Sequence, residues 1–378
     1  MRSSKVLVCA VLAASVLAGC SSSAATRTTT TPVPAYADPG PHPVGVTTLD
    51  LGSAGPVLGE RSATVFYPTD PASTAGHPPF NYAESETLPT ALRGILPAKF
   101  DDTTTVAGAY VDPPAARSGG PFPVILFSHG FGGERLYYSH LLAGIASWGY
   151  VVVSADYLER GLAAQALKSS VKPTAAQDTA IMQSSLTAAL AASTDPSSPM
   201  HGVADQMRVA AVGHSAGGQT AFDALAFPSV LTAVGWAPVG PTGAPSAKPV
   251  MLIGAEGDSA VTPSYVATTF ASFPGPRTLV EISGEGHNTY TDICAGIRSG
   301  AGLINFAVAN HFVSPKLAQL GINGCEPSDL APQRFWPIVQ LYTVIQLHNV
   351  FGGHPTAAVP EPSPGQFPGF TVTVTQKT

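Results

Sequence analysis

Gly213-His214-Ser215-Ala216-Gly217 sets a serine between two glycines, directly after an apolar run and directly before a helical pattern. In that context Gly-x-Ser-x-Gly is a strand-to-helix turn that lifts the hydroxyl clear of the sheet, where the helix N-terminus favours negative charge. A serine hydroxyl is a weak nucleophile and needs a base, and the base needs an orienting acid. Behind such a turn the acid is expected first and the histidine second. Asp258 follows the apolar run Val250–Gly254, and His287 follows Thr278–Ile282 in Ser283-Gly284-Glu285-Gly286-His287. Each sits on a loop at the end of a candidate strand, so both arrive at the sheet edge that carries Ser215.

Two alternatives compete for these roles. Glu256 is the rival acid, but a carboxylate two residues nearer the strand more often braces the loop. Among the ten histidines, His42 and His77 lie in low-order regions, His201 precedes a strand, and His140 and His348 fall within helical patterns. His311 belongs to a cysteine-bearing segment and His354 to the C-terminal tail. His129 opens the glycine turn His129-Gly130-Phe131-Gly132-Gly133 after Val124–Ser128, and reads as a buried brace of that turn. Such a turn can supply one backbone N–H to an oxyanion, with the residue after the nucleophile supplying the other, which points to Phe131 and Ala216. The chemistry implied is acyl transfer from an ester carbonyl through a covalent intermediate.

The elements that must position these residues follow from periodicity. Short runs that are apolar on consecutive positions predict strands buried on both faces over Ala63–Tyr67, Val124–Ser128, Tyr150–Ala155, Arg208–Gly213, Leu231–Gly235, Val250–Gly254 and Thr278–Ile282. Longer helical patterns alternate with them over Leu136–Trp148, Thr174–Ala192, Ala216–Phe227, Pro263–Ser272 and Phe335–Val350. This alternation predicts an α/β fold with a mostly parallel central sheet flanked by helices. Two stretches stand outside it. Pro71–Gly120, rich in Pro, Gly, Thr and Ala, reads as an irregular insertion, and Ile293–Gln333 as a stapled cap or loop beside the site.

The N-terminus bears on location. A basic start (Arg2, Lys5), an apolar run from Val6 to Leu17 and small residues before Cys20 have the layout of an export signal over residues 1–19. Leu17-Ala18-Gly19-Cys20 resembles a bacterial lipobox, which implies acylation of Cys20; the competing reading is a secretory signal cleaved near Ala18 or Ala24. Residues 20–43, dominated by Ser, Thr, Ala and Pro, read as a flexible tether. A folded domain is then expected over 44–351, with a Pro/Gly-rich tail over 352–378 whose Phe370–Thr375 alternates enough for an edge strand. Cys9 leaves with the signal and Cys20 carries the lipid, so Cys294 and Cys325 remain as an even pair, a disulfide in an oxidising compartment and otherwise two reduced core cysteines. Neither has companions at metal-ligand spacing, and no metal or other cofactor is expected.

The formal net charge is −6, and it becomes more negative once Arg2 and Lys5 are lost, so no basic face for nucleic acid is expected. The expected partners are a small-molecule or lipid ester and, through the N-terminal anchor, the outward face of a cell membrane; the alternative is full secretion.

Leu126-Phe127-Ser128-His129-Gly130-Phe131-Gly132-Gly133, Ala146-Ser147-Trp148-Gly149-Tyr150-Val151-Val152-Val153, Gly213-His214-Ser215-Ala216-Gly217-Gly218 and Val65-Phe66-Tyr67-Pro68 together resemble the dienelactone hydrolase-like branch of the α/β-hydrolases. That branch includes platelet-activating-factor acetylhydrolase-like esterases and polyester-degrading cutinases. The resemblance implies an α/β-hydrolase fold and a serine esterase or lipase. Two departures narrow it. Serine stands where dienelactone hydrolases proper carry cysteine, and no carboxylate lies near Gly235-Trp236-Ala237, where plasma-type acetylhydrolases place their acid. An acid at Asp258 is more similar to the cutinase arrangement. Two further readings stay open: an acyltransferase using the same three residues, separable by a product assay with and without alcohol acceptors, and a non-catalytic surface lipoprotein, separable by failure of a fluorophosphonate to label Ser215.

Overall fold

The structure is a computed structural model that describes residues 35–378. The signal read over 1–19, the lipid site at Cys20 and most of the tether read over 20–43 lie outside the described residues.

Among the described residues, eleven strands form one sheet: β1 Val44–Ser53, β2 Glu60–Pro68, β3 Pro79–Ala83, β4 Thr103–Val111, β5 Phe122–Ser128, β6 Val151–Ala155, β7 Ala204–His214, β8 Val230–Trp236, β9 Val250–Ala255, β10 Arg277–Ile282 and β11 Val372–Lys377. The helices are α1 Thr90–Arg93, α2 Ser139–Ala146, α3 Leu162–Ala166, α4 Ala175–Thr194, α5 Ala216–Asp223, α6 Pro263–Ser272, α7 Cys294–Arg298, α8 Leu303–Ala309, α9 Pro315–Ile322 and α10 Trp336–Phe351. Strand order across the sheet is β11-β10-β9-β8-β7-β5-β6-β2-β1-β4-β3. The centre, from β6 through β5 to β10, is parallel. Antiparallel pairs flank it at β2·β6, β1·β2, β3·β4 and β10·β11.

Every residue of β5, β6 and β9 is buried, as strands covered by helices on both faces must be. Period two divides them between two cores. Ile125, Phe127 and Val152 face one core, completed by Leu141, Leu142 and Ile145 of α2 and Ile338, Leu341 and Ile345 of α10. Val124, Leu126, Val151 and Val153 face the other, completed by Ile181, Met182 and Leu186 of α4, Phe222 of α5 and Phe270 of α6. From β5 the chain crosses to β6 on one side and returns to β7 on the other. Chain order therefore reverses around β5, and in such a sheet the crevice beyond the carboxyl ends of these strands is where ligands sit.

The seven predicted strands are all present, with ends shifted by a few residues. α2 is shorter than the predicted Leu136–Trp148, and Ala216–Phe227 divides into α5 and a short 3-10 turn over Ala224–Ala226. Pro71–Gly120 is more regular than its composition suggests, since it supplies β3 and β4. β4 runs parallel to β1 over Val44–Val46 and antiparallel to β3. The Pro/Gly-rich tail returns to the sheet, where β11 pairs antiparallel with all of β10. The described end of the tether also packs: Tyr36 meets the Trp148 ring edge-on at 4.8 Å, and the Gly40 N–H donates to Ser147 Oγ at 2.7 Å.

Candidate active site

β7 ends at His214 and α5 begins at Ala216, so Ser215 makes the whole turn. Its φ of 56° and ψ of −120° lie where an L-residue pays about 1–3 kcal/mol in strain. The surroundings enforce that conformation. The Ser215 N–H donates to the Trp236 carbonyl at the end of β8 (2.9 Å), and its own carbonyl accepts from the N–H groups of Gly218 (2.9 Å) and Val239 (3.0 Å). The flanking glycines are required for space: a Cβ on Gly213 would collide with the Gly217 carbonyl, and one on Gly217 with the Ser128 carbonyl.

The turn after β5 passes beside this serine. His129 is fully buried and braces it, its Nδ1–H donating to the Gly130 carbonyl (2.9 Å) while Nε2 accepts from the Tyr157 N–H (3.0 Å). Burial, reinforced by the Arg160 guanidinium, pushes the His129 pKa down to about 3, so the ring stays neutral. Arg160, itself buried, donates to the His129 carbonyl (2.8 Å) and pairs with Asp178 of α4, and its own carbonyl accepts from the Gly132 N–H (2.8 Å). The backbone N–H groups of Phe131 and Ala216 have no hydrogen-bond partner among the described residues, and both residues line the same cavity as Ser215. At Ala216 this follows from position, because first-turn N–H groups have no acceptor within the helix.

Asp258 and His287 meet. His287 Nδ1 lies 2.7 Å from Asp258 Oδ2, and both residues are buried. Asp258 Oδ1 accepts from the N–H groups of Ala260 and Val261, each at 2.8 Å, so the carboxylate is held on both oxygens. His287 shares the cavity with Ser215. No hydrogen bond joins Ser215 Oγ to His287 among the described residues, a looseness common in sites without substrate. Glu256, the rival acid, is exposed, and its carboxylate pairs with neither His287 nor another group among the described residues; its backbone braces the loop, through its N–H to the Ile282 carbonyl at 2.9 Å.

Two positioning residues escaped the motif. Tyr138 and His214 form a one-way chain behind the site. The Gly130 N–H donates to Tyr138 Oη (3.4 Å), the Tyr138 hydroxyl to His214 Nδ1 (2.8 Å), and His214 Nε2–H to the His287 carbonyl (2.8 Å). Burial, with the neighbouring His287, holds the His214 pKa well below the usual histidine range and so keeps the ring neutral, and the His287 carbonyl, which can only accept, fixes its proton on Nε2. His214 occupies a variable position of the Gly-x-Ser-x-Gly pattern, so only the fold shows what its ring touches.

The cavity holds about 350 Å³. Ser215, His287 and the Gly130–Gly133 turn form its floor, and its outer wall is Ile293, Ile304, Val313, Leu317 and Leu320 from the Ile293–Gln333 segment. That segment therefore lines the site, and it is closed on itself by a disulfide between Cys294 and Cys325. Among the described residues, the phenylalanine and tyrosine side chains that line the cavity are Phe131, Tyr137 and Tyr138. Trp236 and Tyr290 are fully buried in the core beneath it. Phe306 and Phe312 pack instead with Leu88, Leu92 and Phe100 of the insertion.

The chlorophyllase family matches residues 110–239, from the end of β4 to the loop after β8, a span that contains Ser215 and both oxyanion-hole candidates. None of the curated proteins compared matches the chain. Among solved structures, the ferulic acid esterase from Streptomyces cinnamoneus superposes with a TM-score of 0.62 at 20% identity, covering 89% of this chain and 98% of its own. At that identity the likeness speaks to architecture, and it agrees with the mostly parallel sheet and the flanking helices. The chain has the α/β-hydrolase fold.

Proposed function

We propose that this protein is a serine carboxylic-ester hydrolase. The observation that carries the reading is a single cavity shared by a conformationally strained serine at a helix N-terminus and a histidine whose far nitrogen is held 2.7 Å from a buried carboxylate. Ser215 attacks the ester carbonyl while His287 takes its proton, and Asp258 fixes the imidazole tautomer and stabilises the imidazolium. The N–H groups of Phe131 and Ala216 receive the developing oxyanion. His287 then protonates the departing alcohol, and water, activated by the same histidine, releases the acid. The match to the chlorophyllase family and the likeness to a ferulic acid esterase support ester cleavage over other chemistry at such a site.

The wall also bears on the substrate. Among the described residues no lysine, arginine, aspartate or glutamate lines the cavity, so an uncharged, largely apolar acyl group fits it better than a carboxylate-bearing one. We further propose export and a lipid anchor at Cys20, which would place this chemistry on the outer face of the membrane. The test of the reaction is p-nitrophenyl ester hydrolysis by wild type and Ser215→Ala. Turnover by wild type and none above background by the variant is expected; equal turnover by both would end the proposal.

A further inference from the structure

We infer that Asn323, carried by the disulfide-stapled segment, is a positioning residue that holds the acid and base loops in register. The inference rests on the roles proposed above for Asp258 and His287. Asn323 Oδ1 accepts from the His287 N–H (2.9 Å) and from the Ser259 N–H (3.0 Å), while Nδ2 donates to the Gly257 carbonyl (3.2 Å). One side-chain amide thus bonds the backbone on both sides of Asp258 and the backbone of the base itself. The geometry needs an acceptor for two N–H groups and a donor for one carbonyl on a short stem, which asparagine supplies.

The segment that carries Asn323 is fastened to the base loop independently of that amide. The Asn323 carbonyl accepts from the Asn288 N–H (2.8 Å), and Asn288 Nδ2 donates to the Leu320 carbonyl (2.7 Å). Gly324, at φ 85°, lies so close to Gly286 that a Cβ on either would collide with the other's backbone. The next residue is Cys325, bridged to Cys294. Asn323 does not line the cavity, so it acts through His287 and Asp258 and not by touching substrate. Its loss should appear in kcat and leave KM unchanged.

The test compares the full chain with Asn323→Ala, Asn323→Asp and Ser215→Ala in p-nitrophenyl butyrate hydrolysis across pH, with a thermal melt of each. The titratable groups around His287 are Asp258, His214 at a ring separation of 4.7 Å, Glu285 two residues earlier and Tyr290. Asn323→Ala loosens the Asp258–His287 pair, so kcat should fall on the order of 10- to 100-fold and the acid limb of the profile should move to lower pH. Asn323→Asp keeps both acceptor bonds, sets a carboxylate oxygen against the Gly257 carbonyl where the Nδ2 donor stood, and adds negative charge at the junction of the acid and base loops. It should recover part of the kcat lost in Asn323→Ala and move the acid limb to higher pH. Opposite shifts are something a merely structural residue would not produce. Wild-type kcat and an unmoved limb in Asn323→Ala, with Ser215→Ala inactive, would overturn this inference alone; an active Ser215→Ala would overturn the reaction on which it rests. Should Asn323→Ala fail to fold, Asn323→Asp decides, and an unmoved acid limb there refutes the inference.

Discussion

Replacing Asp258 with asparagine changes one atom, and the structure specifies which way the amide must face. Oδ1 of Asp258 accepts two backbone N–H groups, from Ala260 and Val261. An amide nitrogen cannot accept them, so the asparagine oxygen takes that place and its NH₂ turns to His287. There it donates to Nδ1, which forces the proton onto Nε2, the nitrogen that must be empty to receive the Ser215 proton. The substitution therefore inverts the tautomer and removes the charge that stabilises the imidazolium, while its size and remaining hydrogen bonds are kept. For triads of this kind the cost is about 10⁴-fold in kcat, or about 5.5 kcal/mol of transition-state stabilisation. The assay is steady-state hydrolysis of a p-nitrophenyl ester near neutral pH, with a thermal melt to show that the fold is retained. A folded Asp258→Asn variant within about tenfold of wild type would refute the reasoning, since no intact triad tolerates the inverted tautomer so well.

Other perturbations reach the scaffold. Gly217→Ala drives a methyl group into the Ser128 carbonyl, so it should destabilise the fold by about 3 kcal/mol or more, read as a lower urea midpoint. The Cys294→Ser/Cys325→Ser pair opens a loop with a sequence separation of 31, and a chain-entropy estimate gives about 3.5–4 kcal/mol lost, measurable by denaturant titration of both forms. Glu285 is buried, and desolvation raises its pKa to about 7 against the opposing Thr289 hydrogen bond. Because the folded value lies above the unfolded one, this group favours folding at low pH, and that contribution is lost as pH rises toward 7 and beyond. The melting temperature of Glu285→Gln relative to wild type should therefore rise between pH 5 and 8; a flat difference would contradict the shift.

Much of this arrangement was legible in the residues, for physical reasons. Strands β5 to β10 carry apolar side chains on consecutive positions because helices cover both faces, and that pattern survives without any knowledge of partners. The turn at Ser215 is legible because only glycine fits at Gly213 and Gly217. Asp258 and His287 are legible because chain order in a parallel sheet delivers successive loops to one edge. The strands β1, β3 and β4 are a different case. They are antiparallel or at the sheet margin, and β4 is exposed over most of its length, so its sequence carries little apolar alternation. The tail, expected to leave the fold at Phe351 on its Pro and Gly content, was legible only at its end, where the alternation over Phe370–Thr375 marks the edge strand that β11 forms on β10. Asn323, Tyr138 and His214 act through contacts between segments far apart in the chain. Nothing in local spacing signals such contacts.

The most direct measurement is the mass of the intact protein after treatment with a fluorophosphonate, followed by peptide mapping. The account predicts one phosphonyl group added per chain, on the peptide that contains Ser215, and none on Ser215→Ala. It also predicts that Asp258→Asn labels much more slowly than wild type, because the same proton transfer activates the serine. An unlabelled wild-type protein, or a label carried elsewhere while Ser215 stays free, would contradict the central claim.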